Sequence, residues 1–344
     1  MRKLNHFDAL AGMAALLVLI SPARADVAAE FFRGKTISMI IGSSAGGGYD
    51  TLSRAVSRHL PKHIPGNPTI VTRNIPGAGG ITAANNLFST APRDGTTMGL
   101  LRNLVPFEPI FGTEQANYDA TKFNWLGTLS VETGLLIVWH DSKFKSINDA
   151  KSMEMIAAAD SINSQPAFYV RVLNELLGTN IKVVAGYPGQ NEGYLAIENG
   201  EVDSWGVTYW SSLTSTKSDW LRGNKIRILL QYGPNREPAL KDVPYGPDLV
   251  KNAEDRMLFE AAYSPLTLGR PFVLPPEVPT DRVAAFRRAF SDMLLDPEFI
   301  AEAQHLGLQI DSPRTGDELQ DELKRIYSMP QKVLERMRKL ALAR

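Results

Sequence analysis

The sequence predicts an α/β protein of two lobes with a ligand cleft between them, and three observations carry that prediction. Strand-like apolar runs alternate with helix-like segments from Thr36 to Leu306. Two glycine-rich turns, Ser43-Ser44-Ala45-Gly46-Gly47-Gly48-Tyr49-Asp50 and Asn74-Ile75-Pro76-Gly77-Ala78-Gly79-Gly80, each follow a β-like run and open a helix-like one. Bare backbone N–H groups at such turns hold an anion without a charged side chain. Two polar strand-to-helix junctions, Ala159-Asp160-Ser161-Ile162-Asn163-Ser164-Gln165-Pro166 and Gly186-Tyr187-Pro188-Gly189-Gln190-Asn191, take the corresponding places in the second half.

The elements follow in order. Arg2 and Lys3, the apolar stretch Ala9 to Ile20 and the small-x-small Ala23-Arg24-Ala25 read as an export signal cleaved before Asp26. Its core is only about a dozen residues, short of the roughly 20 that span a bilayer. Thr36 to Ile41 reads as a strand, Asp50 to Leu60 as a helix stopped by Pro61, Thr69 to Thr72 as a strand and Ile81 to Thr90 as a helix. Thr97 to Leu101 gives a third strand, followed by a loop carrying Pro106 and Pro109. Leu135 to Trp139 is an unbroken apolar run suited to a strand buried on both faces. A second series follows: helix Ile147–Ser152, strand Met155–Ala159, helix Ala167–Leu177, strand Lys182–Ala185, helix Gly193–Asn199 and strand Ile226–Gln231. Val283 to Leu295 and Pro297 to Leu306 read as amphipathic helices. Domain one is expected over 26–134 and 228–344, and domain two over 135–227.

Composition excludes several chemistries. Cysteine is absent, which removes disulfides, thiolate nucleophiles and Cys-ligated zinc. The segment up to Arg24 holds three basic residues and one acidic one, leaving 34 against 36 in the remainder. That near-neutral balance argues against a nucleic-acid or anionic-membrane surface.

Other motifs compete for the same residues. Gly42-Ser43-Ser44-Ala45-Gly46 is a literal G-x-S-x-G on a strand-to-helix turn, the context of a serine-hydrolase nucleophile elbow, so a secreted hydrolase using Ser44 is the alternative function. Against it, two more glycines follow directly and no histidine stands in a triad context. Gly34-Lys35-Thr36 precedes its strand and has Ala29 where a P-loop needs glycine. Gly77-Ala78-Gly79 begins like a dinucleotide fingerprint, but Thr82 replaces the third glycine, and no cofactor is expected. His59 and His63 have metal-clamping spacing, but with Lys62 and Pro61 beside them a solvated helix end is expected. Arg102, after the third strand, is placed either to meet a carboxylate or to lie at the surface. Trp205, Tyr209 and Trp210 are placed to stack on a ligand or to join the core.

The ordered set of motifs resembles the extracytoplasmic solute receptors of the tripartite tricarboxylate transporter family, also called Bug proteins. The resemblance rests on Ala45-Gly46-Gly47-Gly48-Tyr49-Asp50, then Asn74-Ile75-Pro76-Gly77-Ala78-Gly79-Gly80, then Pro92-Arg93-Asp94-Gly95-Thr96. Gly186-Tyr187-Pro188-Gly189, Gly200-Glu201-Val202-Asp203 and Pro275-Pro276-Glu277-Val278-Pro279 continue it to the C-terminal helices. The resemblance implies a type II periplasmic-binding-protein fold, two α/β lobes joined by crossing strands, closing on a small carboxylated molecule. It implies ligand contacts from Ser44, Ala45, Gly46, Gly47, Gly48, Tyr49 and Asp50, and from Asn74, Gly77, Ala78, Gly79 and Gly80, with Arg102 beside them. Ser164, Tyr187, Gly189 and Asp203 are the implied domain-two contacts, with no catalytic residue and no metal. The implied partners are the membrane subunits of such a transporter, or a membrane sensor; the receptor itself is expected to be periplasmic and monomeric.

The chain also departs from the family pattern. The common G-G-S-T-D is here Gly46-Gly47-Gly48-Tyr49-Asp50, which places it in a Gly-Gly-Gly-Tyr-Asp branch. The usually glycine-rich domain-two loop reads Asp160-Ser161-Ile162-Asn163-Ser164-Gln165.

Overall fold

The computed structural model describes residues 22–342. The expected export signal falls mostly on residues outside that range. The helix Pro22–Phe32 spans the expected cleavage point. Among the described residues, no helix is long and apolar enough to cross a membrane.

Lobe one is built on a six-stranded sheet made of β1 (Thr36–Ile41), β2 (Thr69–Asn74), β3 (Thr97–Leu100), β4 (Asn124–Thr128), β11 (Phe272–Leu274) and β12 (Arg314–Thr315), in the order β12-β4-β11-β3-β1-β2. β1 lies parallel to β2 and β3, and the Gly48–His59 and Ile81–Ser89 helices follow β1 and β2. This is the strand, glycine turn, helix unit expected from the sequence, repeated twice. Parallel strands end side by side, Ile41 opposite Asn74 and Leu100, so the two glycine turns emerge at one edge of the sheet. Apolar spacing explains the first helix, which buries Leu52, Ala55 and Val56. Pro61 lies in the following 3-10 turn Leu60–His63, where it is tolerated.

Lobe two holds two three-stranded sheets. β5 (Gly134–Trp139) pairs antiparallel with β10 (Ile226–Tyr232) and with β9 (Thr208–Tyr209), while β6 (Met155–Ala159) lies parallel to β7 (Ile181–Ala185) and β8 (Ser204–Trp205). Leu135, Leu136, Ile137 and Val138 are fully buried, as the unbroken apolar run predicts. Two long strands, β5 and β10, carry the chain into and out of this lobe, with Gly134 opposite Tyr232. The residue-228 boundary expected from sequence falls inside β10.

The longer helices beyond the sequence-based expectations include Ala253–Tyr263, Gly316–Tyr327 and Gln331–Leu342. The last of them fastens the lobes from behind, since Arg171 in the Gln165–Leu177 helix donates to the carbonyls of Leu340 and Ala341. The expected Ile147–Ser152 helix shrinks to Asp149–Ser152, because the Asp149 carboxylate accepts from the N–H groups of Lys145 and Ser146 and holds a turn there.

His59 and His63 do not sit at a solvated helix end. Both are largely buried against the Pro297–His305 helix, where His59 meets Glu302 at 2.5 Å and His63 meets Asp296 at 2.9 Å. The nearby acids bear on no sequence motif, so only the fold brings them there.

The loop carrying Pro106 and Pro109 buries Glu108, whose carboxylate accepts from the Thr113 hydroxyl at 2.5 Å. Burial pushes this carboxyl up to about 7, the hydroxyl and Arg102 opposing only in part. A raised folded-state value means the folded protein keeps a proton that the unfolded chain releases above about 4.5. Glu108 therefore costs nothing below that pH and its full penalty above pH 7. Glu108→Gln is expected to add up to about 3 kcal/mol in urea denaturation at pH 8 and almost nothing at pH 4.5.

Candidate functional site

The turns and junctions from both lobes enclose a cavity of ≈240 Å³. Lobe one supplies Gly42, Ser43, Ser44, Gly47, Gly48 and Tyr49 from the first turn, Pro76, Gly77, Ala78 and Gly79 from the second, and Arg102. Lobe two supplies Asp160 and Ser161, the run Gly186 to Gln190, and a wall of Trp205, Val207 and Tyr209.

The backbone of the second turn is unusual. Gly77, Ala78, Gly79 and Gly80 have φ values of 132°, 45°, 65° and 102°, four positive angles in succession. The Gly80 N–H closes the turn on the Gly77 carbonyl, and Gly77, Ala78 and Gly79 line the cavity, where successive N–H groups of such a turn offer an anion-binding concavity. Ala78 holds this geometry without glycine's freedom, at a cost of about 1 kcal/mol, which is the kind of strain that marks ligand sites.

Two helices begin at the cavity without a side-chain cap: Gly48–His59 after Gly47, and Gln190–Glu198 after Gly189. Uncapped helix starts leave N–H donors unpaired and carry a partial positive charge. They attract a carboxylate while adding no net charge.

Asp50 explains how the two turns keep register. It is 4% exposed, and its carboxylate accepts from the Gly46 N–H at 2.9 Å, the Asn74 side-chain amide at 2.9 Å and Arg54 at 2.9 Å. Asn74 also donates to the Ser43 carbonyl. Asp50 and Asn74 thus stitch the first turn to the second from behind, and neither lines the cavity.

Tyr49 lines the cavity while 7% exposed, with its ring 4.8 Å from the Arg270 guanidinium and its hydroxyl accepting from the Asn103 N–H at 3.4 Å. Arg270 is itself buried in an ion pair with Glu132 at 2.6 Å, and it donates to Ser211 and Ser212. This assembly sits directly under the start of the Gly48–His59 helix, where a Cβ at Gly48 would come within 2.6 Å of Arg270. Glycine at position 48 lets the helix start close over a charged pair.

Of the other residues singled out from sequence, Ser44, Gly47, Gly48, Gly77, Ala78, Gly79, Arg102, Tyr187 and Gly189 also line the cavity. Ala45, Gly46, Gly80, Ser164 and Asp203 lie outside its lining. Gly46 gives its N–H to Asp50, Ser164 donates to the Ser161 carbonyl, Gly80 backs the Arg102 side chain, and Asp203 accepts from Ile156 to hold β6. Trp205 and Tyr209 are both buried and lining, so core and ligand wall are one surface here; Trp210 packs into the lobe-two core.

Arg102 does meet a carboxylate, but the carboxylate belongs to Asp160 of the other lobe. In the sequence Asp160 belongs to a polar junction with no motif around it, and only the fold brings it to Arg102. Burial alone would raise its carboxyl, yet the Arg102 charge and the Ser164 hydroxyl hold it below the usual carboxylate range. The lobes meet elsewhere too: Asn191 donates to the Ala45 carbonyl at 3.4 Å, and a Cβ on Gly189 would lie 2.2 Å from the Ser44 hydroxyl. The structure is that of a closed cleft.

A family model described as the tripartite tricarboxylate transporter family receptor, TctC, matches residues 52–333. The “UPF0065 protein in gbd 5′ region” of Cupriavidus necator is 28% identical over 248 residues, covering 70% of this chain and 72% of that protein. The structure of the periplasmic binding protein BugD has a TM-score of 0.68 at 18% identity, covering 90% of this chain and 98% of BugD. MatC from Rhodopseudomonas palustris, solved with bound malate, has a TM-score of 0.66 at 19% identity, covering 87% and 99%. At these identities the two structures establish the fold: a two-lobed periplasmic-binding-protein architecture. With the family model spanning most of its length, the chain belongs to the tripartite tricarboxylate transporter receptor family.

Proposed function

We propose that this protein is a periplasmic solute receptor that captures a small carboxylated organic molecule by cleft closure and delivers it to a tripartite tricarboxylate-type membrane transporter. The observation that carries the reading is the convergence of two uncapped helix starts and the positive-φ residues Gly77, Ala78 and Gly79 on one small cavity between two lobes. The malate bound by MatC is consistent with a carboxylate as the recognised group. Ser44, Gly47, Gly48, Gly77, Ala78 and Gly79 hold the carboxylate in this reading, and Tyr187, Gly189, Trp205 and Tyr209 enclose the remainder. Asp50 and Asn74 act by fixing the turns. The division into 26–134 with 228–344 and 135–227 is part of the same proposal, as are removal of an export signal before Asp26 and a monomeric receptor.

The receptor performs no chemistry in this reading. Ser44 precedes the start of the Gly48–His59 helix and His59 ends it, so the two stand at opposite ends of a helix about 18 Å long. His59 and His63 lie at and beyond that far end, against Glu302 and Asp296, so neither reaches Ser44 as a base. A thermal-shift screen against mono-, di- and aromatic carboxylates is expected to raise Tm with at least one acid, since a ligand bound only by the closed state stabilises it by mass action. A response to sugars or amines with none to any acid would remove the carboxylate claim.

A further inference from the structure

The glycines around the cleft differ in what a side chain at each would meet. A Cβ on Gly47 would meet nothing within 4 Å, and one on Gly77 would meet Thr82 of its own lobe. On Gly46, Gly79 and Gly189 it would meet the opposite lobe: the Asn191 amide nitrogen at 2.8 Å, the Ser164 Cα at 3.5 Å and the Ser44 hydroxyl. Backbone conformation already accounts for the first two, since Gly46 and Gly79 have φ of 82° and 65°, in the left-handed region that favours glycine. Gly189 has φ −175° and ψ −170°, extended backbone open to any residue. What excludes a side chain there is Ser44. A Cβ would overlap the Ser44 hydroxyl and stand 3.3 Å from the Ser44 Cβ, inside the roughly 3.5–4.0 Å at which two carbon atoms rest. The Gln190–Glu198 helix that Gly189 opens has no room to retreat, because at Gly193 it lies against the Trp205 indole so closely that a Cβ there would overlap the ring. Relief comes only from parting the lobes.

We propose that Gly189 is a positioning residue that sets how completely the cleft shuts: its bare Cα lets lobe two come to rest on Ser44 of lobe one. A side chain at this position holds the lobes apart. The apparent affinity for any ligand scales with the fraction of receptor able to close, so Gly189 acts on all ligands alike, whatever their chemistry.

A disulfide trap tests this without any ligand. The chain has no cysteine, so one engineered pair reports closure unambiguously. Gly79→Cys with Ser164→Cys places two Cβ atoms 3.6 Å apart across the lobes, within the roughly 3.5–4.5 Å that a disulfide spans. The rate of thiol loss under copper–phenanthroline oxidation then measures how often the lobes reach the closed arrangement. Adding Gly189→Val to the pair is expected to slow the trap at least about tenfold, as a shift of the population away from the closed state. Valine is used because turning the Ser44 hydroxyl aside could absorb a lone methyl group, and Gly189→Ala is expected to give an intermediate rate. Adding Ser44→Gly to the Gly189→Val protein is expected to restore the rate, which a general loss of structure would not allow; circular dichroism confirms that each variant is folded. Absence of the crosslink in the parent pair overturns the proposal, because the lobes then do not meet at this separation. An unslowed trap with Gly189→Val overturns it as well, and so does a slowed trap that Ser44→Gly fails to rescue. None of these outcomes bears on the carboxylate reading, which the acid screen tests separately.

Discussion

Arg270→Ala is expected to cost about 3–5 kcal/mol in chemical denaturation, the largest effect of any single substitution near the cleft. Arg270 and Glu132 are 3% and 1% exposed, and they form an ion pair at 2.6 Å with Ser211 and Ser212 completing the shell. Burial pushes the Glu132 carboxyl up even with Arg270 beside it, so removing the arginine leaves a carboxylate with neither solvent nor counter-charge. Glu132→Gln/Arg270→Leu removes both charges together and is expected to lose markedly less than Arg270→Ala alone, since an apolar replacement avoids the unpaired charge. Equal losses in the two variants would show that packing of Tyr49 against the guanidinium, and not charge pairing, dominates. The location matters for function, because Glu132 precedes β5, Ser211 follows β9 and Arg270 precedes β11. The pair therefore sits where the chain passes between the lobes, under the helix that faces the ligand.

Asp50→Ala is expected to lower affinity for the cognate acid by more than about tenfold and stability by about 2–4 kcal/mol. The Gly46 N–H, the Asn74 amide and Arg54 all lose a charged acceptor, and a hydrogen bond to a charged group contributes about 1.5–3 kcal/mol, less at the exposed Gly46 and Arg54. Affinity falls because the two turns lose their common register, and a misplacement of about 1 Å is enough to weaken a positioned donor set. Asp50→Asn keeps an acceptor oxygen and should fall between wild type and alanine. Burial alone would raise the Asp50 carboxyl, but Arg54, the Gly46 N–H and Asn74 together hold it below its ordinary value of 3.8. Its contribution is therefore fully present above that pH and is lost as pH falls through the lower folded-state value. Acid denaturation of Asp50→Asn should lack this component. An alanine variant with unchanged affinity would mean that the turns hold their shape without Asp50.

Much of the fold was readable because lobe cores are built from apolar strands bounded by glycine and proline. Thr36–Ile41 and Met155–Ala159 are strands over the expected residues, and both glycine turns open helices as expected. The Gly316–Tyr327 helix carries a local signal, with Leu319, Leu323 and Ile326 on one face behind a Thr315–Glu318 capping box, whereas Ala253–Tyr263 buries residues only from Leu258 onward, shows no sustained apolar face and is upheld by tertiary packing. β11 is only three residues long and lies between Pro271 and Pro275, so its strand character comes from its neighbours β3 and β4. The site divides along the same line. Backbone features, such as the glycine turns, are local and visible in sequence. Pairings such as Arg102 with Asp160 or Glu132 with Arg270 join residues from distant segments, and they exist only once the lobes are folded and closed. Asp50 lies between these cases: its position after the glycines was visible, but its choice of Gly46 and Asn74 as partners needed the parallel register of β1 and β2.

The central claim is that the cavity recognises a carboxylate through backbone donors and helix starts. The most direct measurement is calorimetric titration of the strongest binder from the acid screen beside its own primary amide, which preserves size and shape but removes the charge. The amide is expected to bind at least about a hundredfold more weakly, because hydrogen bonds to a charged acceptor are roughly twice as strong as neutral ones and the helix starts then act on no anion. Equal affinity for acid and amide would contradict it.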